Sequence, residues 1–180
     1  MESKIFISIN IPQKAKKRLR ETMQKWQDLP IKLVKEANLH ITLVFLGLID
    51  DEIFIKISEK VRQVCEKTEG FDIKFDQITL FPSKTEPKLV ALTGILSEEL
   101  KNLVNAIEIE LGISNAPKKS FRPHITLGRI QKHKWGALKN KPNIQEQFIF
   151  PVAVESIEIM SSQLDEDKIN YTVLESYPLQ

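Results

Sequence analysis

The chain has 180 residues, 42% hydrophobic and 28% charged, which is an ordinary composition for a globular protein and gives one domain over 1–180 as the expectation. The 26 basic and 24 acidic residues leave a net charge of +2, which is too balanced to argue for nucleic-acid binding. Cys65 is the single cysteine, which excludes an internal disulfide and a multi-cysteine metal site.

The beginning of the chain shows no signal-peptide pattern, and no apolar stretch is long enough to span a bilayer. We therefore expect a cytoplasmic protein without a membrane partner.

Helical and strand-like periodicities alternate along the chain. Helices are predicted from Pro12 to before Pro30, from Asp50 to near Gly70, and from a Ser97 cap to Gly112. The predicted strands cover 4–10, 39–46, 71–81, 89–92, 124–130, 148–154, 156–161 and 171–174, with a short extended piece at 32–35. The segment 131–142 is predicted to be a loop with one turn of helix around Trp135.

One tetrapeptide, His-Ile-Thr-Leu, occurs twice, at 40–43 and at 124–127. The two copies contain two of the three histidines. Each is followed along the chain by a predicted hairpin, at 71–92 and at 154–174. Because side chains on a strand alternate, the His and the Thr of each copy share a face. Two similar lobes that meet at a cleft are therefore predicted.

Two imidazoles and two hydroxyls around one substrate group suit displacement at phosphorus. One histidine can take a proton from a nucleophile while the other gives a proton to a leaving oxygen. The Thr hydroxyls can donate to the anionic oxygens. A lone histidine on an apolar strand is usually a core residue, but the exact repetition favours catalysis. A zinc site has too few ligands near either copy, and Cys65 is interpreted as a small buried residue.

Around these copies the chain resembles the two-histidine phosphoesterase superfamily, in its RNA 2′,3′-cyclic phosphodiesterase branch, historically called 2′-5′ RNA ligases. The stretches that carry the resemblance are Lys4–Ile9, Asn38–Gly47, Phe81–Ser83, Phe121–Arg129, and Met160–Leu164 with Tyr171. They cover nearly the whole chain in the family's order.

The resemblance implies an α+β fold with two pseudo-symmetric lobes, each an antiparallel sheet backed by helices, around a central groove. It implies metal-independent, cofactor-free opening of a terminal 2′,3′-cyclic phosphate to a 2′-phosphate. His124 would be the general base and His40 the general acid, while Thr42 and Thr126 would hold phosphate oxygens. The expected partner is an RNA end or a cyclic nucleotide, bound by a monomer.

The sequence also makes predictions for residues outside the two copies of the tetrapeptide. Arg129 matches a family arginine and could bind the substrate phosphate, although strand parity turns it away from His124 unless a bulge intervenes. Lys119 and Arg122 lie in a basic loop that could bind RNA. Side chains alternate along a regular strand, so Phe45 is predicted to point away from His40 and into the core. Trp135 could stack a base, and His133 is interpreted as a surface residue.

Three alternatives stay open at this point. The chain could join RNA ends through a 2′-5′ bond, which is the same chemistry in reverse. It could act on 2′-5′ oligoadenylate or an ADP-ribose cyclic phosphate. It could also be an RNA-end-binding protein without catalytic activity.

Overall fold

The strands of the protein form one antiparallel sheet. The computed structural model describes residues 3–113, 121–165 and 168–180. Its strands, in chain order, are β1 (Ser3–Asn10), β2 (Ile31–Leu33), β3 (His40–Ile49), β4 (Phe71–Phe81), β5 (Leu89–Gly94), β6 (His124–Ile130), β7 (Gln145–Val154), β8 (Ser156–Asp165) and β9 (Lys168–Pro178). They lie side by side in the order β7-β4-β5-β6-β3-β1-β8-β9, and β2 pairs with β6.

The helices begin and end close to the predicted signals. They are α1 (Gln13–Met23), α2 (Asp51–Cys65), α3 (Glu98–Leu111) and α4 (Lys132–Gly136). The Asp50 carboxylate accepts a hydrogen bond from the backbone N–H of Ile53 at the start of α2, and Ser97 does the same for Leu100 in α3. Helix α3 is capped at its C-terminus by Gly112, whose φ of +69° is the left-handed conformation that glycine adopts freely.

Eight of the strands named above form two four-stranded lobes that join where β3 meets β6, and the short strand β2 extends one lobe beside β6. Ile41 pairs with Ile125, the equivalent residue of the other tetrapeptide, so a pseudo-twofold axis passes between them. The predicted α+β fold with two pseudo-symmetric lobes is therefore confirmed. However, the two halves of the chain do not correspond to the two lobes, because each lobe contains strands from both halves. The hairpin β4–β5 follows β3 in sequence but pairs with β6, and the hairpin β8–β9 follows β6 but pairs with β1, the neighbour of β3.

The core lies on the face of the sheet that α2 and α3 cover. Alternate residues of the central strands point into it, and Ile7, Ile41 and Ile125 are at most 1% exposed. Leu19 and Met23 of α1 join the same hydrophobic cluster. Because side chains alternate, the residues on either side of each buried isoleucine point to the opposite face. His40, Thr42, His124 and Thr126 are therefore displayed together on that face.

Within the described ranges, every helix is too short or too polar to cross a lipid bilayer.

Candidate active site

A groove with a volume of about 970 Å³ runs along the junction of the two lobes. His40, Thr42, His124 and Thr126 all line it. The antiparallel pairing of Ile41 with Ile125 sets His40 towards Thr126 and Thr42 towards His124. The structure thus brings the two predicted pairs to one place.

The ring of His40 is held in one orientation and one tautomer. Its Nδ1–H donates to the backbone carbonyl of Asn38 at 2.7 Å, and a carbonyl can only accept. In the neutral ring Nε2 is therefore the acceptor, and the Thr42 hydroxyl donates to it at 2.9 Å. The rings of Phe6 and Tyr171 pack against His40, with centroids 5.0 and 5.1 Å from the imidazole.

His124 repeats this arrangement in the second lobe. Its Nδ1–H donates to the backbone carbonyl of Arg122 at 2.8 Å, again two residues earlier in the chain. The imidazole stacks on Phe81 with centroids 4.4 Å apart and planes inclined by 22°. The Arg122 guanidinium lies 4.4 Å from the centroid of the same Phe81 ring. Among the described residues, neither Nε2 has a backbone partner, so both Nε2 atoms are available for proton transfer.

The pKa values of both imidazoles lie below the usual 6.5, and burial is the main cause in each case. The hydrogen bonds to the backbone carbonyls partly offset this lowering. The charges of Lys16, Arg129 and His124 further lower the pKa of His40, and Arg122 does so for His124. The two imidazoles are therefore close enough to interact electrostatically, and each is mainly neutral at pH 7 before substrate binds.

A bulge follows the threonine in each copy of the tetrapeptide. In β3, Ser8 pairs with Thr42 and Ile7 with Val44, so Leu43 is the extra residue. In β6, Ala91 pairs with Thr126 and Val90 with Gly128, so Leu127 is the extra residue. A bulge reverses the side-chain parity beyond it.

The bulges decide where Phe45 and Arg129 point. The expectation that Phe45 packs in the core is wrong, because this ring is 77% exposed and lines the groove. Arg129 lines the groove at the equivalent position of the other lobe, as expected only if a bulge intervened. The pseudo-twofold axis therefore relates a phenyl ring on one wall to a guanidinium on the other.

The walls of the groove are basic. Five cations line it, namely Lys4, Lys32, Lys35, Arg122 and Arg129, and its lining within the described ranges contains no Asp or Glu. Arg122 therefore lies where it can meet an anionic ligand. Lys119, the other basic residue expected to bind RNA, lies outside the described residues.

Three other sequence expectations have clear outcomes. Trp135 is 4% exposed and packs in the core, so the expectation that it could stack a base is wrong. His133 is exposed, as expected. Cys65 is fully buried, and burial raises the pKa of its thiol to about 11, which fits a packing role.

Among the described residues, no three His, Cys, Asp or Glu side chains are grouped closely enough to hold a metal ion.

Sequence reasoning missed the groups that surround the histidines. Phe6 and Tyr171 lie in stretches that carry the family resemblance, but no local sequence pattern showed that both rings would contact His40. Nothing in the local sequence showed that Lys16, a residue of α1, would be buried near this site. It is in fact buried, with its pKa lowered mainly by burial, and its charge acts on both His40 and Glu158.

Comparison with known proteins identifies relatives along the whole chain. The model of the LigT-like phosphoesterase family matches residues 9–92. An RNA 2′,3′-cyclic phosphodiesterase of Thermotoga maritima is 32% identical over 182 residues, covering 94% of this chain and 91% of that protein. Another, from Aeropyrum pernix, is 30% identical over 155 residues and covers 83% of each chain.

A solved structure shares the fold. The crystal structure of the Thermus thermophilus protein TT0787 matches with a TM-score of 0.84 at 22% identity, over 98% of this chain and 97% of that one. The relatives and the fold agree with the resemblance seen in the sequence. The chain therefore belongs to the LigT-like family of two-histidine phosphoesterases, together with the RNA 2′,3′-cyclic phosphodiesterases that it matches.

Proposed function

We propose that this enzyme hydrolyses the terminal 2′,3′-cyclic phosphate of RNA to a 2′-phosphate, without a metal ion. The observation that carries the proposal is the matched pair of imidazoles in one basic groove. Each is fixed by an Nδ1–H bond to a backbone carbonyl, and each leaves Nε2 for proton transfer. The names of the relatives from Thermotoga maritima and Aeropyrum pernix support the choice of substrate.

The proposed reaction uses the two histidines in opposite directions. His124 Nε2 takes a proton from water, and the water oxygen forms a bond to phosphorus. The bond from phosphorus to the ribose 3′-oxygen breaks, and protonated His40 gives its Nε2 proton to that oxygen. The products are a 2′-phosphate and a 3′-hydroxyl. The division between base and acid follows the resemblance, since the two hydrogen-bonding arrangements are alike.

Substrate binding would prepare His40 for its role as acid. An anionic phosphate in the groove raises the pKa of a nearby imidazole, which opposes the lowering caused by burial. Once His40 Nε2 carries a proton, Thr42 can no longer donate to it. The Thr42 hydroxyl is then released to donate to a phosphate oxygen. Thr126 would hold the phosphate from the opposite lobe, and Arg129 would add a charge.

The test uses an RNA oligonucleotide that ends in a 2′,3′-cyclic phosphate, incubated with the protein in EDTA. We expect a 2′-phosphate product, identified by phosphorus NMR. His40→Ala and His124→Ala should each lower kcat by a factor of about 10² to 10⁴, the usual contribution of a general acid or base. His133→Ala is the matched control, since this third histidine is exposed and outside the groove.

Other outcomes distinguish the alternatives. Activity that EDTA abolishes, or that both histidine variants retain, would contradict the proposal. Tight binding of the oligonucleotide without turnover would indicate an RNA-end-binding protein. Turnover confined to 2′-5′ oligoadenylate or an ADP-ribose cyclic phosphate would change the substrate but keep the site. Addition of an RNA with a 5′-hydroxyl tests the reverse reaction, which would form a 2′-5′ bond.

We also propose that the enzyme acts as a monomer in the cytoplasm. The absence of a second cysteine suits a reducing compartment. Sedimentation at micromolar concentration tests the oligomeric state, and a dimer would contradict it.

A further inference from the structure

One buried hydroxyl beside the catalytic pair has no hydrogen-bond partner. Ser8, on β1, is 0% exposed, and its Oγ is the one buried side-chain oxygen or nitrogen that lacks a partner among the described residues. Leaving a buried hydroxyl unpaired is costly, and the large majority of such groups in proteins are paired. An alanine at this position would avoid that cost, so the hydroxyl requires an explanation beyond the stability of the resting structure.

Ser8 lies directly opposite Thr42 on the neighbouring strand. Ile9 pairs with Ile41, and both are buried in the core. The register then continues without a shift to the next pair, which is Ser8 and Thr42. Since side chains alternate along a strand, both point to the opposite face, where the groove lies. Directly opposite residues have Cβ atoms about 4.5–5.5 Å apart, and a serine and a threonine at this distance can share a hydrogen bond.

That hydrogen bond is not made while Thr42 is paired with His40. The Thr42 hydroxyl lies 2.9 Å from His40 Nε2 and donates to it when the imidazole is neutral. Protonation of Nε2 ends this arrangement, because a protonated ring nitrogen can only donate. If the Thr42 oxygen stayed in place, it would accept the hydrogen bond from Nε2–H that the leaving oxygen needs. The reaction therefore benefits from a second partner that draws the Thr42 oxygen away from the imidazole.

We propose that Ser8 is this partner and a positioning residue of the active site. In the reactive state the Ser8 hydroxyl donates to Thr42 Oγ1, and the Thr42 hydroxyl donates to a phosphate oxygen. The Nε2–H of His40 is then free to reach the ribose 3′-oxygen. The Ser8 hydroxyl, unpaired in the resting state, becomes paired, which favours this exchange of partners. The inference rests on the proposed function and deepens it, because it names the residue that draws the Thr42 hydroxyl away from His40.

Ser8→Ala tests the proposal, because it removes the hydroxyl and leaves the Cβ atom in place. We expect kcat and kcat/KM on the RNA 2′,3′-cyclic phosphate to fall equally, by about three- to tenfold, the usual contribution of one neutral hydrogen bond. The thermal midpoint should stay the same or rise, since the variant loses an unpaired buried group. Ser161→Ala is the matched control and should keep full activity. This buried serine of β8 lies opposite Ile5 of the core, on the other face of the sheet.

A double-mutant cycle shows whether Ser8 acts through Thr42. In a Thr42→Val background, Ser8→Ala should change kcat by less than about twofold, because the hydroxyl that Ser8 positions is already gone. Glu158 is the register partner of Ser8 on β8 and offers another route to an effect on activity. A loss of kcat that persists undiminished in the Thr42→Val background would therefore overturn the inference.

Three other results would overturn it while leaving the proposed function intact. They are full activity of Ser8→Ala, an equal loss of kcat in Ser161→Ala, and a loss of kcat in Ser8→Ala that accompanies a lower thermal midpoint. Failure of the unaltered enzyme to hydrolyse the RNA 2′,3′-cyclic phosphate would refute the proposed function and the role of Ser8 together.

Discussion

Gly128 allows β2 to pack against β6, and replacing it should loosen this side of the groove. A Cβ atom at position 128 would lie 2.5 Å from Ile31 Cγ2 and 3.4 Å from both Leu33 Cδ2 and the carbonyl oxygen of Lys32. Ile31 is only 6% exposed and has little room to move. We expect Gly128→Ala to lower the free energy of unfolding by about 2 kcal/mol, a typical effect of overpacking. For a chain of this size the thermal midpoint should fall by about 4–8 °C.

Differential scanning calorimetry of matched variants tests this reasoning. Gly136→Ala is the control, because no atom lies within 4 Å of a Cβ there and alanine favours the helix. Ile31→Ala removes the clashing methyl group. The double variant should therefore lose less stability than the two single variants added together. If Gly128→Ala is as stable as Gly136→Ala, or if the two losses simply add, the proposed clash does not exist.

Further predictions concern the catalytic pair and the buried thiol. Because burial lowers the pKa of both histidines, the bell-shaped kcat/KM profile should be centred below pH 6.5, and a maximum on the alkaline side would contradict the assignment. The positive charge of Lys16 lowers the pKa of His40, so Lys16→Met should move the alkaline limb to higher pH, whereas Lys56→Met should not. Thr42→Val should reduce kcat about a hundredfold, as expected for a lost phosphate donor, while Thr172→Val, an exposed threonine on β9, should have no effect. Cys65→Ala should retain activity, and Cys65 should react with a thiol reagent only after denaturation; rapid labelling of the native protein would show that it is accessible.

Local sequence patterns predicted the elements well because each has its own signals. The caps at Asp50 and Ser97 and the glycine at position 112 mark helix ends through interactions within a few residues. The repeated tetrapeptide likewise predicted that both His-x-Thr pairs line one groove, since a buried strand with His and Thr on one face has few structural reasons to occur twice.

The bulges at Leu43 and Leu127 could not be predicted in the same way. Each lies in an apolar run that looks like regular alternation, and the extra residue is defined only by the partner strand. Because the bulge at Leu43 was not predicted, Phe45 was wrongly assigned to the core. Because the bulge at Leu127 was not predicted, the position of Arg129 in the groove could be stated only on the condition that a bulge intervenes. The concentration of lysine and arginine in the groove was also hidden, because composition records the net charge but not which face carries it.

The exchange of hairpins between the lobes has a consequence for how the molecule assembles. The lobe that contains His40 takes β1 and β3 from the beginning of the chain but β8 and β9 from its end. A polypeptide cut between β5 and α3 would yield two pieces, neither of which holds all the strands of either lobe. We propose that residues 1–180 form a single bilobal domain whose lobes cannot fold independently. Such fragments should stay unstructured apart and recover the native sheet only when mixed.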